Sequence, residues 1–409
     1  MRIFFNWIII ILIFQDWLME FIPIITNLDE TLCILTIIYA LLILLQRKVK
    51  IKLTKYEIYA LNLFIIFVIL GLIANCKFNI INFKNAILSM VMTTKGYILY
   101  FGWRIIFQAY NIKFEMLKDI AKILKSSIYT FTIIAALDIP LNFLKVRGYR
   151  FGIKNVSIGF SHPTELAFFV VISMYIVLLY NNVFSINKSS FKFICCCIFL
   201  IILTGRSKAI AYIFIFVIML YLNKFIKRIK LKYLIALSPI AVYIAMPRII
   251  SEFIYGARGE LYRGAINIAN DFFPLGSGFG TFGSNISKVY YSPLYYHYGL
   301  YKVWGLSPEM SSYVSDTYWA MILGEVGWIG LIIMAIVLFL IFTPFFKVKA
   351  NNKLKILSIS LILYSIITSI AEPIYSSNKC AALFIVLALM FTLLKKNSIE
   401  IQERKYEKE

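Results

Sequence analysis

A chain of 409 residues that is 61% hydrophobic and 17% aromatic, with a mean hydropathy of +0.82, would expose apolar surface as a water-soluble domain, so that class is excluded. Its net charge of +22 would suit a nucleic-acid binder, but the cations lie in connections between apolar runs, and no nucleic-acid partner is called.

Crossing the hydrocarbon core as a helix takes roughly 17 to 25 apolar residues. In chain order such runs fall at 3–22, 30–46, 57–75, 86–109, 126–143, 163–182, 192–205, 208–222, 233–247, 318–345, 356–372 and 380–394. The expected fold is all-α: a single polytopic membrane domain over 1–409 with about twelve transmembrane helices. The seventh, eighth, ninth and twelfth runs are short for a span, so neighbours must shield them or their boundaries are soft. The runs are continuous and lack the alternation of a lipid-facing barrel. No small-residue cleavage site follows the first run, and Asp16 and Glu20 break its end, which predicts a retained helix and not a signal peptide.

Charge sorts by connection. With both termini cytoplasmic, the inside segments hold 26 Lys and Arg and the outside segments 14, while Lys95 and Arg104 fall within the fourth span. This positive-inside bias puts the one long polar excursion, 248–316 between the ninth and tenth spans, on the outer face. It also gives the membrane a basic inner face toward anionic lipid. The tail 395–409 is charged, cytoplasmic and expected to be disordered. Lys95 reads as a functional intramembrane charge, and Arg104 as one that snorkels inward. Cys195, Cys196 and Cys197 point three ways from a helix and cannot share a metal; no metal site or cofactor is called.

Chemistry-bearing residues gather in the outside segments. Lys145 to Gly152 carries Arg147 and Arg150 and leads through Lys154 to His162. Four cations where topology disfavours them suit an anion such as phosphate, with headgroup contact as the plain alternative. His162 precedes Pro163 and reads first as a helix-end residue. Arg206 lies in the turn Leu203 to Lys208 between two closely spaced spans, at the membrane boundary, where a charge is usually paired or faces a polar cavity. Arg258 and Arg263 precede the glycines Gly276, Gly278 and Gly280, which expose backbone N–H groups but follow no strand and make no nucleotide fold. Tyr290 to Tyr301, including Tyr295 and Tyr296, reads equally as a sugar-stacking lid or an interfacial aromatic belt. Asp138 and Glu372, near outer span ends, are expected to pair with these arginines.

In order, these clusters resemble the bacterial O-antigen polymerase and ligase superfamily of membrane glycosyltransferases. The resemblance rests on four segments between about 147 and 330: Phe160 to Ala167, the turn Thr204-Gly205-Arg206-Ser207, Arg263 ahead of Phe273 to Phe282, and Asp316 to Gly330. Ligases carry a histidine where this chain has Ser315-Asp316, which favours a polymerase. The resemblance implies a multi-pass protein of the bacterial inner membrane that polymerises undecaprenyl-diphosphate-linked repeat units at the outer face. Arg206 and Arg263 would bind diphosphate, supported by Arg147, Arg150 and Arg258, and Asp316 would act as base, followed by His162 and His297. A chain-length regulator and a flippase are the implied protein partners. A ligase of the same superfamily and a lipid-linked oligosaccharide flippase are the alternatives. Against the flippase stand the single large outer loop and the lack of a visible repeat.

Overall fold

The computed structural model describes residues 2–46, 51–150, 152–181, 188–222, 250–348 and 352–406. Long helices dominate: α1 (Arg2–Ile13), α2 (Gln15–Met19), α3 (Leu28–Leu45), α4 (Lys55–Phe78), α5 (Phe83–Ala109), α6 (Lys118–Leu141), α7 (Pro163–Tyr180), α8 (Lys188–Leu203) and α9 (Ser207–Leu222). After these come α10 (Ala257–Asp271), the short α11 (Asn285–Val289) and α12 (Pro293–His297), then α13 (Tyr318–Lys347), α14 (Asn352–Ser369) and α15 (Lys379–Tyr406). Among the described residues the strands are one small hairpin, Tyr149–Arg150 against Ile153–Lys154.

Among the described residues six helices are long and apolar enough to cross a membrane: α4, α7, α13, the first part of α15, and α3 and α6 with the 3-10 turns before them. The other expected spans are shorter or more polar helices, namely α1, α5, α8, α9 and α14, and the ninth, 233–247, lies outside the described residues. The first run is broken after Ile13, so α1 and α2 replace one continuous helix. The expected disorder beyond Lys395 is overturned, since α15 continues to Tyr406.

Sequence sets which helices are central. The spans of α7 and α15 are apolar all round and are 83% and 78% buried, against 28% for α3 and α6, so α7 and α15 form the interior. Lipid gives little hydrophobic drive for helices to associate, so contact depends on close packing of small residues. A Cβ on Gly96 of α5 would come within 2.5 Å of Phe384 on α15, and one on Gly102 within 2.3 Å of Thr36 on α3.

The two cations buried on α5 are paired. Lys95 is fully buried between Asp29 and Glu30 of α3, with Glu30 Oε1 2.6 Å away. Arg104 does not snorkel: Nε donates to Glu57 Oε1 at 2.5 Å, Nη1 donates to Thr392 Oγ1 at 2.6 Å, and the guanidinium lies 4.6 Å from the Phe391 ring. A charge inside a helical bundle is costly and is therefore usually paired. Thr54 and Glu57 form a capping box at the start of α4, so Glu57 both caps that helix and receives Arg104.

The connections sort to two ends. At one, Lys52 N–H donates to Gln108, Lys395 to the Lys52 carbonyl, and Lys396 to Asn111. At the other, Asp16 accepts from Ser161, Arg150 donates to the Gly205 carbonyl, and Lys208 pairs with Glu372.

Candidate functional site

At the second end, the loops before α7, α9, α10, α13 and α15 enclose a cavity of about 860 Å³. Six Lys and Arg line it against four Asp and Glu, leaving a formal surplus of two positive charges. Arg147, Arg150, His162, Arg206, Arg258 and Asp316, drawn from segments up to 169 positions apart, all face this one space.

His162 occupies the N-cap position of α7, and Pro163 starts the helix. Arg206 Nη2 lies 3.0 Å from His162 Nε2. A guanidinium only donates, so Nε2 accepts, while Nδ1 faces Thr164 at the helix start, 2.9 Å from its Oγ1 and 3.3 Å from its backbone N–H. Desolvation, then the positive charges of Arg206 and Lys379, push the imidazole down to about 4. Arg150, at the start of the hairpin turn, donates from Nη1 to the Gly205 carbonyl at 3.2 Å, which binds the hairpin to the turn bearing Arg206.

Across the cavity, Arg258 at the start of α10 pairs with Glu252 and, through Nη2, with Asp316 Oδ2 at 2.5 Å. Burial lifts the Asp316 carboxyl above the usual aspartate range, with Arg258 opposing it. Thr317, not Asp316, is the N-cap residue of α13, so the aspartate does not serve as a helix cap.

Lys208 and Lys379 join the cationic lining, held by Glu372 at 2.8 and 3.0 Å, and Lys379 also by Glu165 at 2.8 Å. Sequence reasoning assigned no role to Lys379 or Glu165. Their signal is weak but present, since both are charged residues at the starts of two largely buried helices. Glu372 pairs with these lysines instead of an arginine, and Asp138 pairs with Lys154 at 2.9 Å.

Several expected site residues lie elsewhere. Arg263 is largely exposed on α10, bound to Glu260 at 2.5 Å and to the Ile254 carbonyl, outside the cavity. The glycine run is a structural clasp. Ser277 and Gly278 N–H donate to the carbonyls of Gly324 and Glu325, beside the non-helical Gly327 within α13. Asn75 of α4 bonds Phe279 at both N–H and C=O, at 2.8 and 2.9 Å. The acceptor at the exposed N–H groups is the chain's own: Glu325 Oε1 accepts from Gly280 at 2.8 Å and Phe282 at 3.4 Å. Gly276, Gly278 and Gly280 are therefore occupied by Glu325, Asn75 and α13.

Tyr295 is fully buried, its hydroxyl accepting from Gly283 N–H at 2.7 Å and its ring against Phe282, so it offers no sugar platform. Tyr296 is exposed and packs on Tyr291 and Tyr301 away from the cavity. The aromatics that do line the cavity are Trp304 and Tyr313, whose ring centroids are 5.5 Å apart. The second histidine candidate, His297, ends α12 outside the cavity.

A pocket with forked guanidinium groups on two walls, a neutral imidazole and a buried carboxylate can hold an anion with several oxygens and receive a proton beside it. Neither the protein-family models nor the curated proteins contain a match to this chain.

Proposed function

We propose that the protein polymerises undecaprenyl-diphosphate-linked oligosaccharide repeat units at the outer face of the bacterial cytoplasmic membrane. The observation that carries this reading is the convergence of Arg147, Arg150, Arg206 and Arg258 with Asp316 on one cavity at one end of the bundle. In this reading that end faces outward, and both termini and the basic connections face the cytoplasm.

The chemistry needs an anion clamp and a proton acceptor. The acceptor sugar's hydroxyl oxygen forms a bond to the anomeric carbon of the growing chain, and the bond from that carbon to the diphosphate oxygen breaks. Negative charge grows on the departing diphosphate, where Arg206 and Arg258 offer planar donors that stay charged. The hydroxyl proton passes to the Asp316 carboxylate, which its burial makes more basic than an exposed aspartate. Arg263 and the glycine run have no part in this scheme.

The test is the lipid-linked product in a deletion strain. A polymerase deletion accumulates single repeats on the outer face and loses long polymer. Accumulation of repeats on the cytoplasmic face would replace this reading with a flippase, and normal polymer without transfer to its final acceptor would replace it with a ligase.

A further inference from the structure

Beside the cationic cavity lies a second hollow of about 290 Å³, and the two share Glu165, Ser315, Pro373, Ser377 and Lys379 as a common wall. The lining changes character across that wall. Ser89 and Thr93, one turn apart on α5, face Ser284 and Asn285 at the start of α11 and Ser377 and Asn378 before α15. Among the described residues its cations are Lys95 and Lys379, held by Asp29 and Glu30 and by Glu165 and Glu372 respectively. Phe160 and Phe168 add apolar patches.

Three polar atoms around this hollow are buried without a hydrogen-bond partner: Ser89 Oγ, Ser377 Oγ and Gln15 Oε1. Ser89 and Gln15 are 1% and 2% exposed. Buried polar groups are nearly always satisfied, so three orphans around one space call for a guest that donates and accepts hydrogen bonds. Neutral hydroxyl and amide groups suit a neutral polyol better than a phosphate, and the volume is at the lower end of the roughly 300–1,000 Å³ of small-molecule pockets.

We propose that this hollow is a carbohydrate subsite that seats one sugar unit against the wall of the cationic cavity. The proposal rests on the polymerase reading and adds to it the place where a sugar ring is held, with Ser89, Thr93 and Ser377 as hydrogen-bonding contacts. The ring's hydroxyls satisfy the orphaned oxygens, and its C–H faces meet Phe160 and Phe168.

The test uses the full chain in detergent. Saturation-transfer NMR reads binding of the methyl glycosides of glucose, galactose, N-acetylglucosamine and N-acetylgalactosamine, and farnesyl diphosphate reads the cationic cavity independently. At least one glycoside should bind, and Ser89→Ala with Thr93→Val should weaken it about tenfold while farnesyl diphosphate binding is unchanged. The retained diphosphate binding certifies the fold, and Ser377→Ala provides a second, milder variant that should weaken the same glycoside. Glycoside binding that ignores all three substitutions, or no glycoside binding with farnesyl diphosphate still bound, overturns the subsite and leaves the polymerase reading intact. Loss of farnesyl diphosphate binding in the unaltered protein overturns that reading, and the subsite with it.

Discussion

Arg206 Nη2 sits 3.0 Å from His162 Nε2, and this contact adds to desolvation in keeping the histidine neutral. Because the guanidinium cannot accept, a doubly protonated imidazole would set donor against donor and cation against cation. His162 should therefore stay neutral as pH falls, down to about 4, instead of titrating at the ordinary 6.5. The sign of the linkage follows: the stability this neutral form adds is fully present above about pH 6.5 and is lost as pH falls through about 4. The chain has two histidines, so [15N]histidine NMR resolves His162 with His297 as its companion. In Arg206→Gln the value should rise toward 6.5, and normal titration of His162 with Arg206 in place would remove the contact from the argument.

The same arginine is expected to be intolerant of a change that preserves charge. Lysine at 206 keeps a cation but loses the planar fork, and one or two charge-assisted hydrogen bonds to a diphosphate go with it. At about 1.5–3 kcal/mol for such bonds, Arg206→Lys should lower polymer formation by roughly 10- to 100-fold with normal abundance in the membrane. Full activity in the lysine variant would reduce Arg206 to a generic positive charge.

The helical class was legible because apolar run length is a local property of a chain. That Arg147, Arg150, Arg206, Arg258 and Asp316 gather at one cavity was legible for the same reason: they are charges next to helix ends, in loops that meet in space. Arg263 has the same local signature, but its place on α10 turns it toward Glu260. The surroundings of the glycine run were not legible, because the acceptor of the Gly280 N–H is Glu325, a residue 45 positions away that belongs to another helix. Tyr295 looked like its exposed neighbours, and only the fold puts its hydroxyl on Gly283 N–H.

Asp316 and Arg258 should behave as one unit. Their ion pair is partly buried, so removing either partner leaves the other without its main counter-charge. Asp316→Asn and Arg258→Gln should each lower polymerisation at least about tenfold, and the double variant should lose less than the product of the two. The pH profile separates a proton acceptor from a mere counter-ion. If Asp316 takes the proton, activity in the unaltered protein falls on the acid side with an apparent pKa above the usual aspartate range, and that limb disappears in the residual activity of Asp316→Asn. An unchanged acid limb would leave Asp316 as a positioning residue for Arg258.

Orientation in the membrane is open to a direct chemical probe. Lys302, exposed in the segment before α13, and Gln46, exposed at the end of α3, belong to opposite ends of the bundle. In a cysteine-free background, a membrane-impermeant maleimide added to intact cells should label Lys302→Cys and leave Gln46→Cys unlabelled until the cells are opened. The reverse pattern would put the cationic cavity in the cytoplasm and overturn the outer-face polymerase reading.

The glycine clasp makes a claim about stability that separates structure from ligand binding. Gly278 has φ +98°, and a Cβ there would lie 2.6 Å from Asn75 Nδ2 and 2.9 Å from its backbone nitrogen. Gly299 has a similar left-handed backbone, φ +69°, with open space around it. Alanine at 299 pays only for the strained conformation, about 1 kcal/mol or a little more. Alanine at 278 adds a collision that must push α4 away from the clasp, because a backbone atom cannot rotate aside as a side-chain tip does. Gly278→Ala should therefore lower the melting temperature in detergent clearly more than Gly299→Ala. Farnesyl diphosphate binding per folded molecule should be the same in both variants, because the N–H groups of this run already face Glu325, Gly324 and Asn75. Loss of diphosphate binding by a Gly278→Ala protein that melts normally would restore the run as an anion site and displace Glu325 from the role assigned to it.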